Sequence, residues 1–240
     1  RNIDLILVAR RQDRLAALAE QLSKECNVQA RAISQDLLAP EAGEKLEAAI
    51  AADGLSVDLL VNNAGFGDYG EFGQSDLSKQ LQMLDLNVRS LVELTYRFLA
   101  PMQQRGMGSI INVASIAAFQ PLPYMSTYAA SKAFVLNFSE ALWAENRAKG
   151  IKVLALCPGP TETEFFKVAG FDKAEPSNKP GGNMLSAAEV VARALEALDR
   201  GDASIVTGDI ATQATINLPR FLPRQFLVEG VEKFFRPKQS

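Results

Sequence analysis

The chain contains no histidine. This absence removes Ser-His-Asp and Cys-His catalysis, together with every metal site that needs an imidazole ligand, and no metal is expected. Cysteine is nearly as scarce. Cys26 and Cys157 lie far apart in sequence, so there is no CxxC pair and no disulfide framework, and a reducing, cytoplasmic setting is expected. Long apolar runs are missing as well: Leu5–Ala9 and Val153–Cys157 fall far short of the roughly 20 residues that span a bilayer. A basic excess is also lacking, because 25 Lys+Arg against 28 Asp+Glu leave a net charge of −3. No electrostatic footprint for nucleic acid is therefore expected. What is present is an ordinary globular balance: 240 residues, 48% hydrophobic and 22% charged, enough for a sizeable core. The chemistry must use Ser, Thr, Tyr, Lys, Asn, carboxylates or a bound cofactor.

Short apolar runs alternate with helical patterns along the chain. Strands are expected at Ile3–Ala9, Val28–Ile33, Val57–Val61, Ser109–Ala114, Ile151–Cys157 and Ala203–Val206. Helices are expected at Gln12–Lys24, Glu41–Ala52, Lys79–Gln104, Thr127–Lys149 and Ser186–Arg200. Strands apolar on both faces, spaced by amphipathic helices, indicate a doubly wound α/β fold with a parallel sheet covered on both sides. No linker or repeat divides the chain, and a single domain over residues 1–240 is expected. Thr161–Leu185, with Gly170, Pro176, Pro180, Gly181 and Gly182, reads as a long loop leaving the carboxyl end of a strand, suited to a substrate lid. Arg1 opens almost directly into a core strand, so the natural chain is expected to begin upstream of it.

Several residues carry chemistry in this pattern. Tyr128 and Lys132 are four apart on one helix face, where a neighbouring ammonium can stabilise a phenolate and make the phenol a usable acid. The plainer alternative is a surface Tyr packed on a Lys stem. Ser115 follows a strand, at the sheet end where ligands bind, although strand-end serines commonly serve as caps or turn formers. Asn62-Asn63-Ala64-Gly65 ends another strand, where small residues admit a flat ligand or simply make a turn. Asn87, within the helix Lys79–Gln104, is expected to face solvent. Tyr124 has Tyr128 rather than a lysine at its own i+4 position and reads as a pocket wall.

Taken together, Asn62-Asn63-Ala64-Gly65, Asn87, Ser115, Tyr128-xxx-Lys132 and Pro158-Gly159, in this order and spacing, resemble the classical short-chain dehydrogenase/reductase family from Ile3 to about Val206. The resemblance implies that Tyr128 donates a proton to a carbonyl oxygen as hydride arrives at carbon. Lys132 would lower the Tyr128 pKa and hold the nicotinamide ribose, Ser115 would polarise the carbonyl, and Asn87 would support a water chain reaching Lys132. For the cofactor it implies Asp36 and Leu37 at the adenine, Asn63, Ala64 and Gly65 along the adenine ribose, and Pro158, Gly159, Thr161 and Thr163 at the nicotinamide amide and pyrophosphate. Arg10 and Arg11 stand where an acidic residue would bind the ribose 2′-hydroxyl of NAD, so NADP(H) is favoured over NAD(H). The family's glycine-rich loop and the strand before it do not occur in the sequence; in the family pattern they would lie ahead of Arg1, at the centre of the sheet.

The expected function is hydride transfer between NADP(H) and a ketone or secondary alcohol. The alternative is a non-catalytic NAD(P)-binding sensor or scaffold protein on the same fold. Phe165, Phe166, Phe171, Phe221 and Phe226 suggest a hydrophobic substrate. The tail places Leu227, Val231, Phe234 and Phe235 on one helical face beside several basic residues, with Pro223 at the helix start. Packing on the chain's own body or on a second subunit is the preferred expectation, and resting on a membrane surface is the other. The resemblance also implies a homodimer or homotetramer built through the helices Lys79–Gln104 and Thr127–Lys149.

Overall fold

The computed structural model describes residues 3–171 and 184–237, arranged as two compact units, Arg1–Ser56 and Val57–Ser240. Among the described residues of the first unit, strand β1 (Leu5–Ala9) leads into helix α1 (Gln12–Cys26), and β2 (Ala30–Ser34) into α2 (Ala42–Ala52). The two strands pair in parallel, from Leu5 opposite Ala30 to Ala9 opposite Ser34. Leu15 and Ala19 of α1, with Leu46 and Ile50 of α2, supply the buried face. β1 was expected to be a buried strand from Ile3 onward. Instead it starts at Leu5 and is only half-buried, because β2 is its one paired neighbour in this two-stranded sheet.

The second unit holds β3 (Leu59–Asn62), α3 (Leu77–Leu84), α4 (Leu91–Arg105), β4 (Gly108–Val113), α5 (Ser126–Asn146) and β5 (Ile151–Pro158). The short α6 (Phe165–Val168) follows, then α7 (Ala187–Arg200), β6 (Ser204–Thr207), α8 (Ile210–Asn217) and α9 (Arg224–Phe235). Its sheet is parallel in the order β3-β4-β5-β6. Successive residues of a strand face opposite sides, and β5 uses both. Leu154 and Leu156 pack with Val190, Ala194, Ala197 and Leu198 of α7. Ala155 and Cys157 pack with Val135 and Leu136 of α5 and Leu91 of α4. Burial on both faces explains the unbroken apolar run, as the doubly wound reading requires. α7 begins in a reciprocal cap, with Ser186 Oγ accepting from the Glu189 N–H and the Glu189 carboxylate accepting from the Ser186 N–H.

The region expected to be one helix, Lys79–Gln104, is divided. A wider π-type turn, Asp85–Ser90, separates α3 from α4 and turns Asn87 inward, where it is 1% exposed. The solvent-facing expectation for Asn87 is thereby corrected. A line of buried polar side chains crosses the sheet nearby. Asn62 Nδ2 donates to Thr95 Oγ1 at 3.0 Å and to Asn112 Oδ1 at 2.8 Å, and Asn112 Nδ2 donates to Ser139 Oγ at 2.9 Å. These bonds tie β3, β4, α4 and α5 into one register. Among the described residues, no helix is long and apolar enough to cross a membrane, and no group of His, Cys, Asp and Glu could hold a metal ion.

Of the expected lid, residues 172–183 lie outside the described residues. The rest of that segment is pinned: Thr161 pairs with Leu185, the Glu162 N–H donates to the Leu185 carbonyl at 3.0 Å, and α6 supplies its short helix.

Candidate active site

β4 ends at Val113, and two residues later Ser115 is fully extended and caps the short turn Ile116–Phe119, its Oγ accepting from the Ala117 N–H at 3.1 Å. Ser115 also lies near the Tyr128 phenol and acts to lower its pKa. Tyr128 and Lys132 project from the first turns of α5 into the buried interior, 8% and 6% exposed. The surface-pair alternative for these two residues therefore does not hold. Lys132 Nζ donates to the Val113 carbonyl at 2.7 Å and lies 5.8 Å from the centre of the Tyr128 ring.

Asn87 locks a loop against this pair. Its Oδ1 accepts from the Phe66 N–H at 3.1 Å, and its Nδ2 donates to the Phe66 carbonyl at 3.0 Å and to Ser131 Oγ at 3.1 Å. Ser131 in turn donates to the Tyr128 carbonyl at 2.7 Å. Gly65 fits closely here, since a Cβ would stand 2.8 Å from Asn87 Oδ1 and 3.7 Å from Lys132 Nζ. The side chains of buried Asn87, Tyr128 and Lys132 and of half-buried Ser115 are thus brought into one cluster.

Burial controls the ionisation of this cluster. The Tyr128 phenol is pushed up to about 12 by burial, partly offset by nearby Ser115. The Lys132 ammonium is pushed down to about 8 by burial. The sequence pattern implied that Lys132 lowers the Tyr128 pKa; in this structure desolvation of the phenol outweighs any such effect. Cys157, behind the site, is a neutral thiol pushed up to about 12, first by burial and then by Glu140, while Cys26 is exposed.

Apolar and aromatic groups form one wall. Tyr69, Met83, Ala117, Leu122, Met125, Tyr128, Ala169 and Phe171 belong to a single buried cluster, with Phe165 and Phe166 packed on it. The rings of Tyr128 and Phe165 are 5.2 Å apart, and those of Tyr69 and Phe171 stack at 4.8 Å. Tyr124 packs against the same cluster.

The residues implied for the cofactor are distributed over both units. In the first, the Arg10 and Arg11 side chains are exposed beyond β1 and make no hydrogen bond or ion pair with the described residues. Asp36 is exposed after β2 and accepts from the Leu38 N–H at 3.0 Å, next to half-buried Leu37. In the second, Asn63, Ala64 and Gly65 are exposed after β3. Pro158 and Gly159 end β5, and the Gly159 N–H donates to the Thr207 carbonyl at 2.8 Å. Thr161 Oγ1 donates to the Gly159 carbonyl at 2.9 Å, and Thr163 Oγ1 accepts from the Phe165 N–H at 3.3 Å. The sequence reading missed the structural role of Asn62, Asn112, Thr95 and Ser139; a polar Asn112 inside an apolar strand was the available signal.

The chain matches the short chain dehydrogenase family over residues 1–173. It belongs to that family. Among relatives, the very-long-chain 3-oxoacyl-CoA reductase of Bos taurus is 30% identical over 182 residues, which cover 73% of this chain and 58% of that protein. The sulfoacetaldehyde reductase 2 of Chromohalobacter salexigens is 36% identical over 173 residues, 71% of this chain and 68% of that protein. A solved short-chain dehydrogenase from Sphingobium yanoikuyae in complex with NADPH superposes with a TM-score of 0.78 at 31% identity, covering 99% of this chain and 88% of that one. The chain spans little more than half the length of the 3-oxoacyl-CoA reductases it matches. Within this short-chain dehydrogenase, the chemistry of the donor set fits a nicotinamide nucleotide. Lys132 has three N–H donors and spends one on Val113 among the described residues, which leaves two for ribose hydroxyls.

Proposed function

We propose that this protein is an NADP(H)-dependent oxidoreductase that interconverts a ketone and a secondary alcohol, with Tyr128 as the proton donor. The observation carrying this reading is the buried Tyr128 phenol with Lys132 Nζ 5.8 Å from its ring and Ser115 nearby. The nicotinamide supplies the hydride when bound. The protein supplies geometry and a proton. A carbonyl oxygen seated against the Ser115 hydroxyl and the Tyr128 phenol accepts from both and is polarised before reaction. Negative charge developing on that oxygen is stabilised by these fixed donors in a dry site. The proton leaves Tyr128 Oη, and the phenolate that remains is compensated by the Lys132 ammonium near its ring. Asn87 keeps the loop at Gly65 and Phe66 closed against Lys132, so the ammonium stays aimed.

Preference for the phosphorylated nucleotide is supported by Arg10 and Arg11, whose guanidinium groups are exposed and unpaired among the described residues, and by the NADPH bound to the Sphingobium relative. The test is Tyr128→Phe. The variant should bind NADPH with unchanged affinity and lose turnover on the order of a thousandfold. Retained turnover overturns the mechanism, and wild-type protein that binds NADPH yet turns over no ketone or alcohol supports the non-catalytic sensor instead.

A further inference from the structure

The apolar wall of the site is closed by a segment that the proposed reaction does not use. Val231 and Phe235 of α9 pack on the aromatic cluster, and polar bonds tie the helix down. Tyr69 Oη donates to the Phe235 carbonyl at 2.7 Å. Tyr124 Oη donates to Glu232 Oε1 at 2.6 Å, and the same carboxylate accepts from Arg236 Nε at 2.9 Å and Nη2 at 2.8 Å. Arg236, then Tyr124, hold the Glu232 carboxyl down at about 2, so it remains an acceptor at any working pH.

The anchor at the other end is strained. Tyr124 has φ of 65°, a left-handed conformation that bulky residues rarely adopt. It is held from two sides, its carbonyl accepting from the Gly70 N–H at 2.9 Å and its hydroxyl bonded to α9. It also lies four residues before Tyr128 in sequence, just ahead of α5. Strain of this kind persists only where surrounding contacts fix it, and it concentrates at functional sites. The surface that α9 completes is apolar: Phe165 abuts Tyr128, Phe166 meets Phe171 edge-on at 5.4 Å, and Phe171 lies 6.5 Å from Phe235.

We propose that Tyr124, Glu232 and Arg236 form a latch that holds α9 as a wall of the substrate pocket, and that this latch gives the site its preference for ketones bearing a bulky apolar group. The substrate half rests on the proposed ketone reduction, in which a substituent beside the reacting carbonyl meets Phe165 first and the Phe166–Phe171–Phe235 wall behind it. The three latch residues are positioning residues, acting through α9 and the backbone ahead of Tyr128.

The test measures kcat and KM for butanone and propiophenone with NADPH in the full protein, and hydrogen–deuterium exchange across Arg224–Phe235. Wild type is compared with Tyr124→Phe, Glu232→Ala and Glu232→Gln. Losing a hydrogen bond to a charged group should raise the propiophenone KM about tenfold in Tyr124→Phe and Glu232→Ala, and in Glu232→Ala its kcat and both butanone constants should stay unchanged. Glu232→Gln can still accept from Tyr124 and should recover most of the loss. Exchange in α9 should quicken about tenfold in the first two variants and not elsewhere. An unchanged ratio between the ketones, or an equal loss on both, overturns the proposal. Should wild type reduce neither ketone, the proposed reaction has failed and the latch is judged on exchange alone: faster exchange in α9 supports it, and unchanged exchange overturns it.

Discussion

Asn87, Tyr128 and Lys132 are buried and hydrogen-bonded, with Ser115 beside them, whereas Arg10, Arg11 and Asp36 stand in water at the strand ends of the first unit. The contrast matches the two tasks we propose for them. Proton transfer to a carbonyl needs donors fixed before the substrate arrives, in surroundings that magnify their effect, and only a folded interior provides both. Holding a phosphate needs positive charge within reach, and an exposed guanidinium keeps its hydration until a ligand replaces it. Substitutions in the buried set should therefore change rates or stability steeply, and substitutions in the exposed set should change selectivity mildly.

The steepest effect short of removing Tyr128 should come from pH. Lys132 is protonated below about 8 and neutral above it, so the ammonium that compensates the phenolate is present at low pH and lost as pH rises. Ketone reduction should hold level below that point and then fall about tenfold per unit. A flat profile from pH 7 to 10 would separate Lys132 from the proton step. Next in size is the polar line across the sheet. Asn112→Ala removes one of the two acceptors of Asn62 Nδ2 and the donor to Ser139 Oγ, all buried, and should cost on the order of 2 kcal/mol. Thermal denaturation would read this as a Tm lower by roughly 6 °C. The smallest effect belongs to the exposed pair. Arg10→Ala with Arg11→Ala should weaken NADPH binding about tenfold and leave NADH unchanged, with the difference shrinking at high salt. Equal loss of both nucleotides in a fluorescence titration would remove these residues from the 2′-phosphate.

Much of this arrangement was legible because its periods are long and regular. The alternation behind β4, β5, α5 and α7 is fixed by burial on two sides, and the Tyr128–Lys132 spacing needs only an unbroken helix. The parts that were not legible depend on single residues or on partners distant in sequence. A π-type turn adds one residue to a helix without disturbing its apolar composition, so the break at Asp85–Ser90 left Asn87 as its only sign. β1 is as apolar as β5, yet composition does not count hydrogen-bonded neighbours, and β1 has one where β5 has two. α8 passed unnoticed although Asp209 caps it, accepting from the Thr212 N–H at 2.8 Å. In the tail, the start at Pro223 was readable. The face was only partly so: Val231 and Phe235 turn inward and Leu227 is buried, while Phe234 is 52% exposed.

The two cysteines also have a practical consequence. Cys157 is fully buried beside the reacting groups and its thiol stays protonated to about 12, so alkylating reagents and mild oxidants find no thiolate there. Cys26 is exposed at the end of α1. Of the two cysteines in these 240 residues, Cys26 is therefore the one open to a thiol reagent, such as one carrying a fluorophore or a solid support.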